Sequence, residues 1–430
     1  PLWETSRAVW ATGWGFGFRY SDFEFILNMP LWKRILLILG LVGFAIGVGY
    51  LIYVVFFRAP ARPPTPTPGV PVTPGVGGLP TAGGAVPLPP APAPGARTPT
   101  QVASGGLTAA RTITTTPIVS AALAGDGNSL AYYSTQDGKF YRLGPDGTPM
   151  LISDRTFFNV QNVTWSGETD KAILEYPDGS KLAVNFATGV QATLPKHWQN
   201  FDFSPDGAQI IAKSMGLDPN NRWLMVANPD GTNAQAIAPL GENGDKVAVS
   251  WSPNNQIVAT SRTGTAIGLD RERVLLIGLH EENFKALTVE GIGFQSVWSP
   301  RGDRLLYSVS NAASGYRPTL WSVEAEGESI GRNRHSIALQ TWAEKCTFAS
   351  AEVAYCAVPT SLPEGAGLQP AIAAGTPDAV YRVNIATGSM DLVAIPSDRS
   401  AISRLIVTAD GTTLYYTNAQ TGQLSQIRLE

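Results

Sequence analysis

The sequence predicts an all-β fold: a seven-bladed β-propeller preceded by a single transmembrane helix and a Pro-rich linker. Three observations predict it. After residue 107, a short apolar strand, a turn and a second strand recur seven times. Ile35 to Phe57 is a run of 23 residues without a charge. Between these regions, residues 59–100 hold 14 Pro and 7 Gly and no hydrophobic periodicity.

Composition excludes several classes first. The 430 residues carry 31 Lys+Arg against 34 Asp+Glu, a net charge of -3, so no basic surface is offered to nucleic acid. Two cysteines are too few for a disulfide scaffold or a structural zinc site. His197, His280 and His335 stand singly, with no second ligand at metal-binding spacing. No metal and no cofactor are expected.

The chain then reads in order. Met29-Pro30-Leu31-Trp32-Lys33-Arg34 has the form of a natural start: an initiator, a short basic segment and an apolar run. Residues 1–28 lack Met and show no helix or strand period. They are expected not to be native, the alternative being a short cytoplasmic tail. Residues 35–57 would span about 35 Å as a helix, enough to cross a bilayer. The run is too long for the apolar part of a cleaved signal peptide, so an uncleaved anchor is expected. Gly43 and Gly47 form a small-xxx-small pair inside it, through which two helices can pack as a weak homodimer. Lys33 and Arg34 on one flank balance Arg58 and Arg62 on the other, so charge alone does not orient the span.

Residues 58–106 are read as a disordered linker. Pro-rich chain of this kind favours polyproline II and acts as an extended spacer.

The remainder, 107–430, carries the repeat. Its clearest copies are VTWSGETDKAILEY (163–176), FDFSPDGAQIIAK (201–213), VSWSPNNQIVATS (249–261), SVWSPRGDRLLYS (296–308) and CTFASAEVAYC (346–356). Weaker copies lie at 121–133 and 405–417. The anchor of each strand is Trp165, Phe203, Trp251, Trp298 or Phe348, with Leu123 and Val407 in the weak copies. Pro, Asp or Asn, and Gly supply the turn chemistry. Arg301-Gly302-Asp303 therefore occupies the turn that Asp206-Gly207-Ala208 fills, and is read as a hairpin turn before any adhesion motif. A second hairpin follows in most copies, which makes four strands per repeat, the pattern of a propeller blade. The seventh copy lacks its fourth strand. ARTITTT (110–116) is an orphan strand that would close the ring there. A non-propeller β-solenoid is the alternative architecture.

The aromatic-Ser-Pro-Asp-Gly element at 203–207, with variants at 251–255 and 298–303, resembles the repeats of bacterial TolB-type, WD-repeat-like propellers. EKCTFAS and YCAVP (344–359) are similar to segments of membrane-anchored bacterial propeller proteins. The resemblance implies a protein-binding or substrate-gating propeller of the cell envelope, without naming a partner.

Cys346 and Cys356 bracket the blade-six turn. With the turn centred on Ala351, they face each other across two antiparallel strands, within disulfide reach. The alternative is two buried free thiols. A disulfide requires an oxidising compartment. Together with the Thr/Pro stalk it places the N-terminus in the cytoplasm and the propeller outside the cell membrane, in the periplasm or at the cell surface.

No catalytic residue stands out. Gly327-Glu328-Ser329-Ile330-Gly331 matches a nucleophile elbow by letters, but lacks the strand–helix context and the later Asp and His partners. Paired carboxylates for glycan cleavage would come together only in the fold. The interruption at 360–380 is the longest between strands and is expected to pack on its own blade or carry binding. The expected function is a protein- or polymer-binding scaffold of the cell envelope. The alternatives are a glycan-active hydrolase or lyase with carboxylates in the channel, and an assembly subunit of a membrane complex.

Overall fold

The computed structural model describes residues 98–429 except 269, 281 and 283, with 263–266 as backbone, and residues 32, 39, 40, 42–44 and 46–50. The chain divides into two units, Pro1–Ala91 and Pro92–Glu430. In the first, residues 39, 40, 42–44 and 46–50 are helical and exposed, Gly43 and Gly47 among them. Among the described residues no helix is long and apolar enough to cross a membrane. Most of the span expected at 35–57, most of the linker expected at 58–106, and residues 1–28 lie outside the described residues.

The second unit is seven sheets in sequence order, the blades of a propeller. Blades one to five cover residues 118–151, 162–194, 198–239, 247–289 and 292–337; blades six and seven cover 346–396 and 402–428. Each is a meander, so its first strand lies at one edge, toward the axis, and its last at the rim. Blade seven has three consecutive strands, and Arg111–Thr112 supplies its fourth, antiparallel to Leu424–Arg428, with Arg111 opposite Gln426. The Thr-rich segment after the linker thus closes the ring.

One feature has no signature in the repeat pattern. Gly106–Thr108 adds a fifth strand to blade six, parallel to Met390–Pro396. Just before it, the Ala103 N–H donates to the Arg428 carbonyl and the Gly105 N–H to that of Val393, 2.9 Å each. The end of the stretch read as linker is therefore bonded to two blades and staples the junction of the ring.

The core is divided among the gaps between blades, and the anchor residues fill those gaps. Trp165 packs with Phe140 of blade one, 5.4 Å edge to face. Phe203 packs with Ile173 of blade two, Trp251 with Ile211 of blade three, and Trp298 with Ile257 of blade four. Phe348 packs with Leu306 of blade five and Val407 with Ala357 of blade six. Each repeat thus buries its anchor against its predecessor. One such side chain contributes roughly 1.5–3 kcal/mol by area removed from water.

The turn after each anchor has a common polar core. The hydroxyl of Ser166, Ser204, Ser252, Ser299 or Thr408 accepts the N–H that restarts the second strand, at 2.9–3.2 Å. The same hydroxyl donates to Asp170, Asp206, Asn254, Asp303 or Asp410, at 2.5–2.8 Å. Three residues past the hydroxyl the backbone is left-handed, as at Gly207 (φ 64°), Asn255 (φ 59°) and Gly302 (φ 72°). Glycine and asparagine tolerate that conformation, which is why the turn is spelled as it is. Arg301-Gly302-Asp303 is one of these turns. Gly302 is buried so tightly that a Cβ would lie 2.6 Å from the Asn254 nitrogen. The Asp303 carboxylate is occupied by Ser299.

Candidate functional site

Meandering blades give the propeller two unlike faces. The turn face carries the links between first and second strands and between third and fourth. The loop face carries the links between second and third strands and the entries into the next blade.

Cys346 and Cys356 lie on the first two strands of blade six. They are opposite in register, bonded through sulfur, and their Cα atoms are 4.0 Å apart. Trp165, Phe203, Trp251, Trp298 and Phe348 are the inter-blade wedges described above and belong to the framework. The elbow-like Ser329 is in a short 3-10 turn and donates to the Glu326 carbonyl at 2.6 Å. His335 Nδ1 lies 3.1 Å from the Asn333 carbonyl, so Ser329 and His335 do not engage each other. Among the described residues no group of three His, Cys, Asp or Glu side chains could hold a metal ion.

The loop face is built up over blades four to six. The 360–377 segment between the second and third strands of blade six is pinned to blade five. Arg317 Nε donates to the Leu362 carbonyl at 2.8 Å, and the Gly365 and Gly367 N–H groups donate to Gly315 and Tyr316. Leu362 packs under it with Trp342, Ala366 and Ala373. The segment thus packs against the neighbouring blade five as well as its own. Its underside packs on its own molecule, while Leu368 and Ile372 stay 55% and 43% exposed.

Beside it opens a cavity of about 650 Å³. One wall is apolar: Ile292, Phe294, Trp342, Leu368 and Pro370. The other is charged: Asp245, Lys246, Arg262, Arg271 and Glu272. Asp245, Val247 and Ala248 also border a second, polar cavity of about 510 Å³, lined by Asn162, Thr164, Gln199, Asn200 and Lys213. The two form a trough from blade two across to blade six.

Its walls are fixed by charge. Glu290 receives Arg271 at 2.6 Å and Arg334 at 2.8 Å, tying blade four to blade five. Lys213 is buried and has no ion pair among the described residues; its Nζ donates to the Gly244 and Val247 carbonyls, 3.0 Å each. Burial pulls its ammonium below the ordinary lysine range, opposed by Asp245. Asp378, wholly buried, pairs with Lys345 at 2.7 Å and accepts the Ile402 N–H at 2.6 Å. Burial pushes its carboxyl up, opposed by Lys345. Lys345 also sits 5.9 Å over the Trp342 ring, which holds the floor of the trough.

Asp202, on the first strand of blade three, is pushed up to about 6 by burial, against two backbone N–H groups that favour its charged form. Those are the Trp251 N–H at 2.8 Å and the Phe203 N–H at 2.9 Å. With both oxygens engaged it is a staple between blades three and four.

No protein-family model matches the chain, and no curated protein is similar to it in sequence. Solved structures are similar to it in fold. An oligogalacturonate lyase in complex with manganese aligns at a TM-score of 0.50 and 13% identity, over 75% of this chain and 93% of that one. The β-propeller domain of Cps50 (Swd1) from Myceliophteria thermophila aligns at 0.46 and 11%, over 75% and 100%. The tricorn protease aligns at 0.46 and 11%, over 73% of this chain and 33% of that one. At 13% identity the likeness to the lyase extends to the fold alone.

Proposed function

We propose that this protein is a binding propeller of the cell envelope whose loop face seats an extended protein segment or polymer. The observation that carries the reading is the cavity over blades four to six, lined by apolar and charged side chains and continued by a polar cavity toward blade two. Such a surface suits a chain with alternating character, since apolar contact supplies affinity and charge sets register. In this reading the run at 35–57 anchors the protein in the membrane. The Pro-rich stretch holds the propeller away from it. The disulfide supports an oxidising, extracytoplasmic compartment.

A second reading is a glycan-active lyase or hydrolase. Two observations favour it: the fold likeness to oligogalacturonate lyase, and the amide-lined cavity at Asn162, Gln199 and Asn200, whose donors and acceptors suit sugar hydroxyls. The manganese named with that lyase has no matching group of three ligands among the described residues here.

Incubation of the purified full chain with polygalacturonate, and separately with envelope glycans, separates the readings. Binding without turnover supports the scaffold. An unsaturated uronate product, seen by ultraviolet absorbance, overturns it in favour of the lyase.

A further inference from the structure

The first strands of blades one, five, six and seven converge on a cavity of about 640 Å³ in the central channel. Its wall is of mixed character: Leu123, Val297 and Leu405 stand beside Glu344, Thr347 and Ser403. Into this wall blade seven places Arg404. Its guanidinium makes no hydrogen bond and no ion pair with any described residue. It is reached by channel water, yet protein crowds it enough that burial lowers its pKa. Open to channel water and without a partner among the described residues, its guanidinium is available to an anion that enters the channel.

The backbone aims it there. In Ile402–Val407 the pairing slips, Ile402 opposing Asn418 while Arg404 opposes Thr417, so one extra residue is inserted at Ser403. A bulge of this kind re-aims the side chain that follows. It is held at its start by the buried Lys345–Asp378 pair, because Asp378 takes the Ile402 N–H. An ion pair, a bulge and an arginine thus form one rigid support.

We propose that the channel at Arg404 is an anion-binding site, taking the carboxylate or phosphate group of a ligand that enters the channel. A guanidinium presents paired donors that match either group. Glu344 lines the same cavity and is not ion-paired with Arg404 among the described residues. A ligand with a hydroxyl or ammonium beyond its acid group satisfies both side chains. The site is separate from the loop-face trough, so capture there can survive its loss.

Arginine modification by phenylglyoxal on the intact full chain, read peptide by peptide, is the test. At matched ionic strength, citrate or inorganic phosphate should slow labelling of Arg404 about tenfold relative to chloride, the effect of one charge-assisted contact. Arg301, exposed on the turn face, should label equally in all three. Protection by citrate assigns the site to carboxylates, and protection by phosphate to phosphoryl groups. In parallel, citrate or phosphate should raise the thermal midpoint of the wild type and not of Arg404→Gln, which in chloride should be no less stable than the wild type. Equal labelling of Arg404 in all three buffers overturns the proposal. So does the same midpoint rise in the variant.

Discussion

The two faces of the propeller differ in what their residues are for. On the turn face, five of seven blades repeat one arrangement: a hydroxyl, a carboxylate or amide, and a restarted strand. The loop face is less regular: its links between second and third strands differ in length, and blade six carries a long segment pinned to its neighbour. The turn face is periodic because each copy solves the same folding problem. The loop face is irregular because it is freed from that problem. The repeat signature therefore reports folding and is silent on binding. Arg301-Gly302-Asp303 illustrates the point, since its letters suggest recognition while its geometry serves the hairpin.

This comparison can be broken by substitutions on either side. The largest effect is expected on the turn face. Gly302→Ala forces a side chain into left-handed backbone and against Asn254, and should cost about 3 kcal/mol or more in urea denaturation. A loss below 1 kcal/mol would mean the turn is not locked. Replacing Cys346 and Cys356 together with Ser should cost about 2–4 kcal/mol. Mass analysis before and after reduction checks that the native protein carries the bond; two freely alkylated thiols would remove the case for an oxidising compartment.

A smaller effect concerns pH. The Asp202 carboxyl stands at about 6 in the fold, above its ordinary value of 3.8. The folded state therefore holds this proton more tightly than the unfolded chain. Stability from this group is fully present below pH ~4 and is lost as pH rises through ~6. Asp202→Asn should flatten the denaturation midpoint over that window, and an unchanged slope would place the titrating group elsewhere. The smallest effect on stability should come from the loop face. Leu368→Ala with Ile372→Ala should change stability by less than about 0.5 kcal/mol, because both side chains are exposed. The same pair should lose ligand capture, whereas capture unchanged would shift the binding surface off blade six.

What the sequence made legible follows the same division. Strand order, anchors and turns were readable because each is local: Phe203, Ser204 and Gly207 lie within five residues and recur. The cysteine pairing was readable because one hairpin sets its register. The closing strand was readable because the seventh copy was short by one. The strand Gly106–Thr108 was not, since three residues in a Gly- and Ala-rich stretch have no alternation and pair only through backbone. The trough was not readable either. Lys246, Ile292, Trp342 and Leu368 meet only when three blades are placed side by side. Arg404 left a faint signal, a charge in the middle of an axial strand, but the bulge that turns it inward is invisible in ISRLIV.

The most direct test of the central claim is a paired photo-cross-linking experiment in native cells. A photoreactive residue is placed at Leu368 on the loop face, or at Arg301 on the turn face, and the captured species is identified by mass. The account predicts one defined adduct from Leu368 and none from Arg301. The same adduct from Arg301, or capture there alone, would contradict it and make the regular face the functional one.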